Sequence, residues 1–248
     1  MTKEEVLQQC TVELNVVKLP KVQLDRKEYL EVNKALQLIG GKWKGGKISG
    51  FVFNSDPTEL LSQIANGEKR NLKKEFQFFA TPESLADELV SYAKITDVCK
   101  ILEPSAGQGA IVKSINKVLP GKEVDCYELM PINQTFLSKI ETVNFLSDDF
   151  LNPNGSGQIT YDKIIANPPF SKNQDIEHLK EMYKRLNPGG RIVSITSKHW
   201  ENSRNSKETN FRDWLQELEA EVYEIESGSF KESGTMIGGN IVVINKPL

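Results

Sequence analysis

Polar and apolar positions alternate in two different periods along this chain, and the change of period divides it. Near the N-terminus, Val12, Leu14 and Val16 alternate with polar neighbours, as a half-buried strand requires. "DRKEYLEVNKALQLIGG" then reads as a helix, with Asp25 at the N-cap and Gly40 as its stop. "KWKGGKISGFVF" places Gly45-Gly46 between two short β-prone runs and predicts a hairpin. "DPTELLSQIANG" predicts a second helix, with Asp56 at N-cap, Pro57 at N1, Glu59 at N3 and Gly67 past its end. Residues 1–75 thus predict a small α+β module.

From about residue 76 the pattern becomes regular. "TPESLADELVSYA" predicts a helix with Thr81 as N-cap, Pro82 at N1 and Leu85, Ala86, Leu89, Val90 and Ala93 on one face. Strands and helices then alternate: VCKILEP, GAIVKSINKVL, EVDCYEL, INQTFLSKI, VNFLSDDF, DKIIANPP, DIEHLKEMYKRL, GGRIVSITS and NFRDWLQELEAE. Two late strands, VYEIES and NIVVINK, close the series. Such alternation implies an α/β domain over 76–248, a parallel sheet with helices on both faces.

Composition narrows the class. Over 248 residues, 38% hydrophobic and 26% charged residues suit a globular protein with a sizeable core, and no apolar run approaches a membrane span. "MTKEEVLQQC" lacks an apolar secretory core. Cys10, Cys99 and Cys126 are scattered and only His178 and His199 are present, which argues against a metal centre and makes a reducing cytoplasm the expected compartment. Net charge is −3, unevenly spread: 13 Lys/Arg against 10 Asp/Glu leave +3 in residues 1–75 and −6 in the remainder. That module carries Lys42, Lys44 and Lys47 beside Trp43, a candidate phosphate-plus-aromatic surface, with a structural hairpin bearing solvated lysines as the plainer alternative.

In parallel sheets ligands bind beyond the C-terminal strand ends. The first such end is "EPSAGQGA", where Gly107 and Gly109 allow a tight turn and close backbone approach. Val112 stands where a dinucleotide fingerprint would need its third glycine, which disfavours a dehydrogenase. Glu128 follows the second strand, where a carboxylate suits a ribose diol. Asp148, Asp149 and Phe150 follow the third; one aspartate there suits an adenine amine and the ring its flank, unless the pair is a plain turn. After the fourth comes "NPPF". Asn167 supplies an amide oxygen, Pro168 and Pro169 rigid carbonyls without N–H groups, and Phe170 a π face. Lys172, in the polar loop "SKNQD" that follows, is a candidate DNA contact, and the loop "SKHWENSRNSKE" after the fifth strand is a second polar loop that could meet nucleic acid.

Four motifs carry a resemblance in one order: "FFATP" (Phe78 to Pro82), "EPSAGQG" (Glu103 to Gly109), "DDFL" (Asp148 to Leu151) and "NPPF" (Asn167 to Phe170). Together they resemble the S-adenosylmethionine-dependent amino-methyltransferases, in particular the adenine-N6 DNA methyltransferases of the γ motif order. "GGKW…FVF" more loosely resembles the leader of small phage and plasmid methylases. The resemblance implies a class I, Rossmann-like, mostly parallel seven-stranded sheet. It implies that Phe79, Thr81 and Pro82 meet the methionine end of the cofactor, and that Glu103, Pro104, Ser105, Gly107, Gly109 and Asn167 line it. Glu128 would take the ribose and Asp149 with Phe150 the adenine. Asn167 and the Pro168 carbonyl would accept from the target amine of a flipped-out base, with Pro169 holding the turn and Phe170 and Phe230 stacking on the ring. DNA is then the expected partner. No separate recognition domain is recognisable, so residues 1–75, a dimer or a partner protein would supply specificity. RNA amino-methylation, protein glutamine methylation and a non-catalytic nucleic-acid-binding module are the alternatives.

Overall fold

The computed structural model describes residues 1–53, 56–71, 80–152, 159–228 and 238–248. The chain forms two compact units, Met1–Phe78 and Phe79–Leu248.

The first unit starts with a helix the hydrophobic pattern did not suggest, α1 (Lys3–Gln8), held by a reciprocal cap between Thr2 and Glu5. Strands β1 (Thr11–Glu13) and β2 (Val16–Lys18) form a hairpin. Helix α2 (Arg26–Leu38) has the expected Asp25 cap, reciprocated by Glu28. Strands β3 (Lys42–Lys44) and β4 (Gly50–Val52) pair antiparallel, giving a sheet ordered β1-β2-β4-β3. Helix α3 (Thr58–Ala65) begins one residue later than expected, after Pro57; Asp56 still accepts from the Thr58 amide at 2.9 Å. Val6, Leu7, Val17, Val32, Leu36, Ile39, Phe51 and Phe53 fill its core.

In the second unit, α4 (Glu83–Ala93) leads into β5 (Ile101–Glu103), α5 (Ala110–Val118), β6 (Val124–Tyr127), α6 (Pro131–Leu137), β7 (Val143–Ser147) and β8 (Tyr161–Ala166). After a single 3-10 turn (Ser171–Asn173) come α7 (Gln174–Lys184), β9 (Leu186–Thr196), α8 (His199–Asn202), α9 (Ser206–Glu217), β10 (Glu221–Ile225) and β11 (Gly239–Asn245). The seven strands are ordered β10-β11-β9-β8-β5-β6-β7. β7, β6, β5, β8 and β9 are parallel; β11 runs against both of its neighbours.

Consecutive strand residues are buried on opposite faces. Ile101, Ile165, Val193 and Ile241 enter one core cluster, and Leu102, Ile164, Ile192 and Val242 the other. Both faces are therefore covered, as a parallel sheet requires. The chain winds outward from β5 to β7 and then returns to β8 on the other side of β5. The switch point thus lies between β5 and β8, where the ends of the parallel strands open a crevice.

Candidate functional site

The turn after β5 is built from backbone geometry. Gly107 and Gly109 have φ of +55° and +76°. A Cβ on Gly109 would meet Ile140 Cδ1 at 2.4 Å, so this glycine is needed both for its conformation and for space. The Ala106 amide donates to the Tyr127 carbonyl at 2.9 Å, fixing the turn to the end of β6.

Two carboxylates lie behind it. Glu128 is buried, and its oxygens accept from the amides of Gly107 (2.6 Å) and Met130 (2.7 Å) and from Asn133 Nδ2 (3.2 Å). Burial raises its pKa; these donors oppose the rise. Glu103 is only 2% exposed, and its Oε2 has no hydrogen-bond partner among the described residues. Burial, and then the charge of Glu128, hold its carboxyl well above the usual range. Buried carboxylate oxygens without a partner are rare, and this one lies on β5 just before the positive-φ glycine turn. Pro104 is buried and Ser105 half-buried in the same turn.

Sequence reasoning missed the amides that complete this corner. Asn133, fully buried on α6, accepts from Gln108 Nε2 at 3.3 Å. Gln134 Nε2 bridges the Glu128 carbonyl (2.7 Å) and Asp148 (3.1 Å). Their only sequence signal is position in the helix that follows the acid-bearing strand end.

After β7, Asp149 accepts from the Leu151 amide (2.9 Å) and from Asn152 (3.0 Å). Phe150 departs from the expected role of its ring. The side chain is 2% exposed, edge-on to Tyr127 at 5.4 Å and under the Arg185 guanidinium at 4.5 Å. The ring is core packing, so only the backbone of Phe150 remains for a ligand at this edge.

After β8, Pro168 is buried, and Asn167, Pro169 and Phe170 are half-buried. Phe170 packs against the core cluster that includes Ile101, Ile165 and Val193. Asn167 Nδ2 donates to Thr81 Oγ1 at 3.0 Å. Thr81 therefore differs from its expected role as an N-cap. Buried Pro82 occupies that position, and the Thr81 hydroxyl engages the Asn167 amide instead. That bond engages Nδ2; the acceptor of the Asn167 side chain is Oδ1. Phe79 and Phe230 lie outside the described residues.

In the other unit, Lys42, Trp43, Lys44 and Lys47 are all exposed. On β3 the side chains alternate, so Lys42 and Lys44 share one face and Trp43 takes the other, edge-on to buried Phe51 at 5.1 Å. The lysine pair and the ring thus do not form one mixed surface.

Known proteins share this architecture. The M protein of the type I restriction enzyme EcoKI is 15% identical, with a TM-score of 0.57 over 89% of this chain and 55% of that one. A Listeria monocytogenes protein assigned to the class I S-adenosylmethionine-dependent methyltransferases is 11% identical, with a TM-score of 0.55 over 99% of this chain and 79% of that one. The fold is that of the class I methyltransferases. Its structural neighbours are S-adenosylmethionine-dependent enzymes. No protein-family model matches the chain. By sequence, a release factor glutamine methyltransferase from Fusobacterium nucleatum is 23% identical over 168 residues, 65% of this chain. The chain spans 42% of that relative's length. Among the described residues, no group of three or more His, Cys, Asp or Glu side chains is arranged to hold a metal, and no helix is long and apolar enough to cross a membrane.

Proposed function

We propose that this protein transfers a methyl group from S-adenosylmethionine to the exocyclic N6 amine of a flipped-out adenine in DNA. The observation that carries the reading is the Asn167–Thr81 hydrogen bond (3.0 Å). It links "NPPF", which the amino-methyltransferases share, to "FFATP", the motif that tilts the resemblance toward DNA adenine, across 86 residues of sequence.

The residues present fit the cofactor: positive-φ glycines, a buried Glu128 beside them and a Glu103 oxygen unpartnered among the described residues. Gly107, Gly109, Glu103 and Ser105 would hold its amino-acid end, Glu128 its ribose, and Asp149 with the Phe150 backbone its adenine. S-adenosylmethionine supplies a methyl group activated on a sulfonium, a good leaving group. Asn167 Oδ1 and the Pro168 carbonyl accept the two hydrogens of the target amine. This favours a pyramidal nitrogen and disperses the charge that develops on it. Pro168 and Pro169 hold these acceptors in fixed conformation, so positioning contributes much of the rate. Phe170 offers the face on which the base stacks. The type I restriction M protein that shares the fold is in keeping with a DNA substrate.

A second reading, glutamine N5 methylation on a protein, is favoured by the glutamine methyltransferase relative. A primary amide presents the same flat NH2 group to Asn167. Methyl-labelled S-adenosylmethionine offered with unmethylated duplex DNA, RNA and whole-cell protein in parallel separates the two. Label in DNA that is lost with Asn167→Ala supports the adenine reading; label in protein glutamine replaces it.

A further inference from the structure

The turn Ser171–Asn173, immediately after "NPPF", has two consecutive non-glycine residues in the left-handed region, Lys172 (φ +56°) and Asn173 (φ +62°). Two contacts from α9 hold it. Glu208, 2% exposed, accepts from Asn173 Nδ2 at 2.8 Å through Oε1. Lys207 Nζ donates to the Lys172 carbonyl at 3.4 Å and pairs with Glu177 at 2.7 Å.

The same Glu208 oxygen faces Asn205 Nδ2 at 3.5 Å and His199 Nε2 at 3.3 Å. One buried carboxylate oxygen therefore gathers two loops, one after β8 and one after β9. The asparagine it holds in each loop directly follows a cation: Lys172 precedes Asn173, and Arg204 precedes Asn205. Both cations are exposed, and neither side chain makes an ion pair or hydrogen bond with the described residues. Nearby charges are engaged elsewhere. Lys198 pairs with Glu224, Lys207 with Glu177, and Glu201 accepts from Asn240.

We infer that Lys172 and Arg204 are a pair of phosphate-contacting cations at the rim of the base site, and that Glu208 is the positioning residue that holds both. The inference rests on the nucleic-acid reading above and specifies how the strand is gripped: by backbone phosphates on the loop that follows Phe170 and on the loop that Glu208 ties to it. Phosphate contacts of this kind fix the register of the strand without reading bases. Each contact releases condensed counterions, so the pair should appear as a salt dependence.

The test is the affinity of the full chain, with S-adenosylmethionine, for a fluorescent mixed-sequence duplex between about 50 and 200 mM salt. Lys172→Gln/Arg204→Gln should lower the slope of log affinity against log salt by roughly 1.8, about 0.9 for each phosphate contact, and weaken low-salt binding roughly tenfold or more. Glu208→Ala is the discriminating variant. It removes a negative charge, so a purely electrostatic effect would tighten binding. Loss of positioning weakens binding and flattens the slope, and Glu208→Gln, which keeps an acceptor for Asn173, restores both. Cofactor affinity should stay at the parent value in all three variants. DNA methylation with an unchanged slope in the double variant, or tighter binding by Glu208→Ala, overturns this inference alone. A parent with no salt-dependent duplex affinity, or one that labels glutamine, overturns the DNA reading with it.

Discussion

Replacing Glu103 with glutamine should stabilise the cofactor-free protein, and the gain should depend on pH. The carboxyl is buried with one oxygen unpartnered among the described residues, and its pKa is held well above 4.5 by burial and by Glu128. A group whose native pKa is raised favours the fold in its protonated form. The parent therefore has its full stability below the ordinary value and loses it as pH rises toward the native one. Between these limits stability falls by ~1.4 kcal/mol per pH unit, and above the native value it is flat. Glu103→Gln does not titrate. Glu128 carries the same sign in both proteins and largely cancels, apart from its repulsion of Glu103. The gap between variant and parent should thus be near zero below pH 4.5 and widen above it. Its plateau is set by how far the native pKa lies above the ordinary value, at ~1.4 kcal/mol for each pH unit of that rise. For a domain of this size each pH unit of widening is about 3–6 °C in melting temperature. Thermal unfolding of both proteins across pH, without cofactor, measures it. A gap that does not change with pH, or a parent that gains on the variant as pH rises, would refute the reasoning. The same substitution should weaken S-adenosylmethionine binding, because the proposed function gives Glu103 to the cofactor's amino-acid end.

Gly109→Ala and Gly121→Ala form a matched pair. Both sites have left-handed φ, +76° and +78°, but only at Gly109 does a Cβ collide, 2.4 Å from Ile140 and 3.3 Å from Leu137, while Gly121 has nothing within 4 Å. Gly109→Ala should unfold at lower urea by an extra ~1–3 kcal/mol of overpacking; equal midpoints would contradict the crowding. Thr81→Val removes the acceptor that orients the Asn167 amide. Losing that bond, about 1 kcal/mol, should lower kcat roughly fivefold. An unchanged kcat would mean that Thr81 does not fix the amide.

The sequence made most elements legible because their signals are local. The Asp25–Glu28 cap, the apolar face of α4 and the strand-helix alternation each depend on neighbours within a turn or two. Helix α1 was equally local, a Thr2-x-x-Glu5 box, but its six residues are too short for a hydrophobic period to stand out. Thr81 shows where local reasoning ends. Thr-Pro reads as an N-cap, yet the hydroxyl serves Asn167, and only the folded sheet brings the two together. Burial of the Phe150 ring and of Asn133 is likewise tertiary: an aromatic after an acid and an amide in a helix both read as ligand-facing or surface residues until their neighbours are known. The direction of β11 is set by pairing with β9 and β10, not by its own apolar run.

The most direct test of the account is nucleoside mass spectrometry of unmethylated duplex DNA after incubation with the protein and S-adenosylmethionine. The account predicts N6-methyldeoxyadenosine with the parent and none with Asn167→Ala. DNA that stays unmethylated while the parent labels a protein glutamine would contradict it.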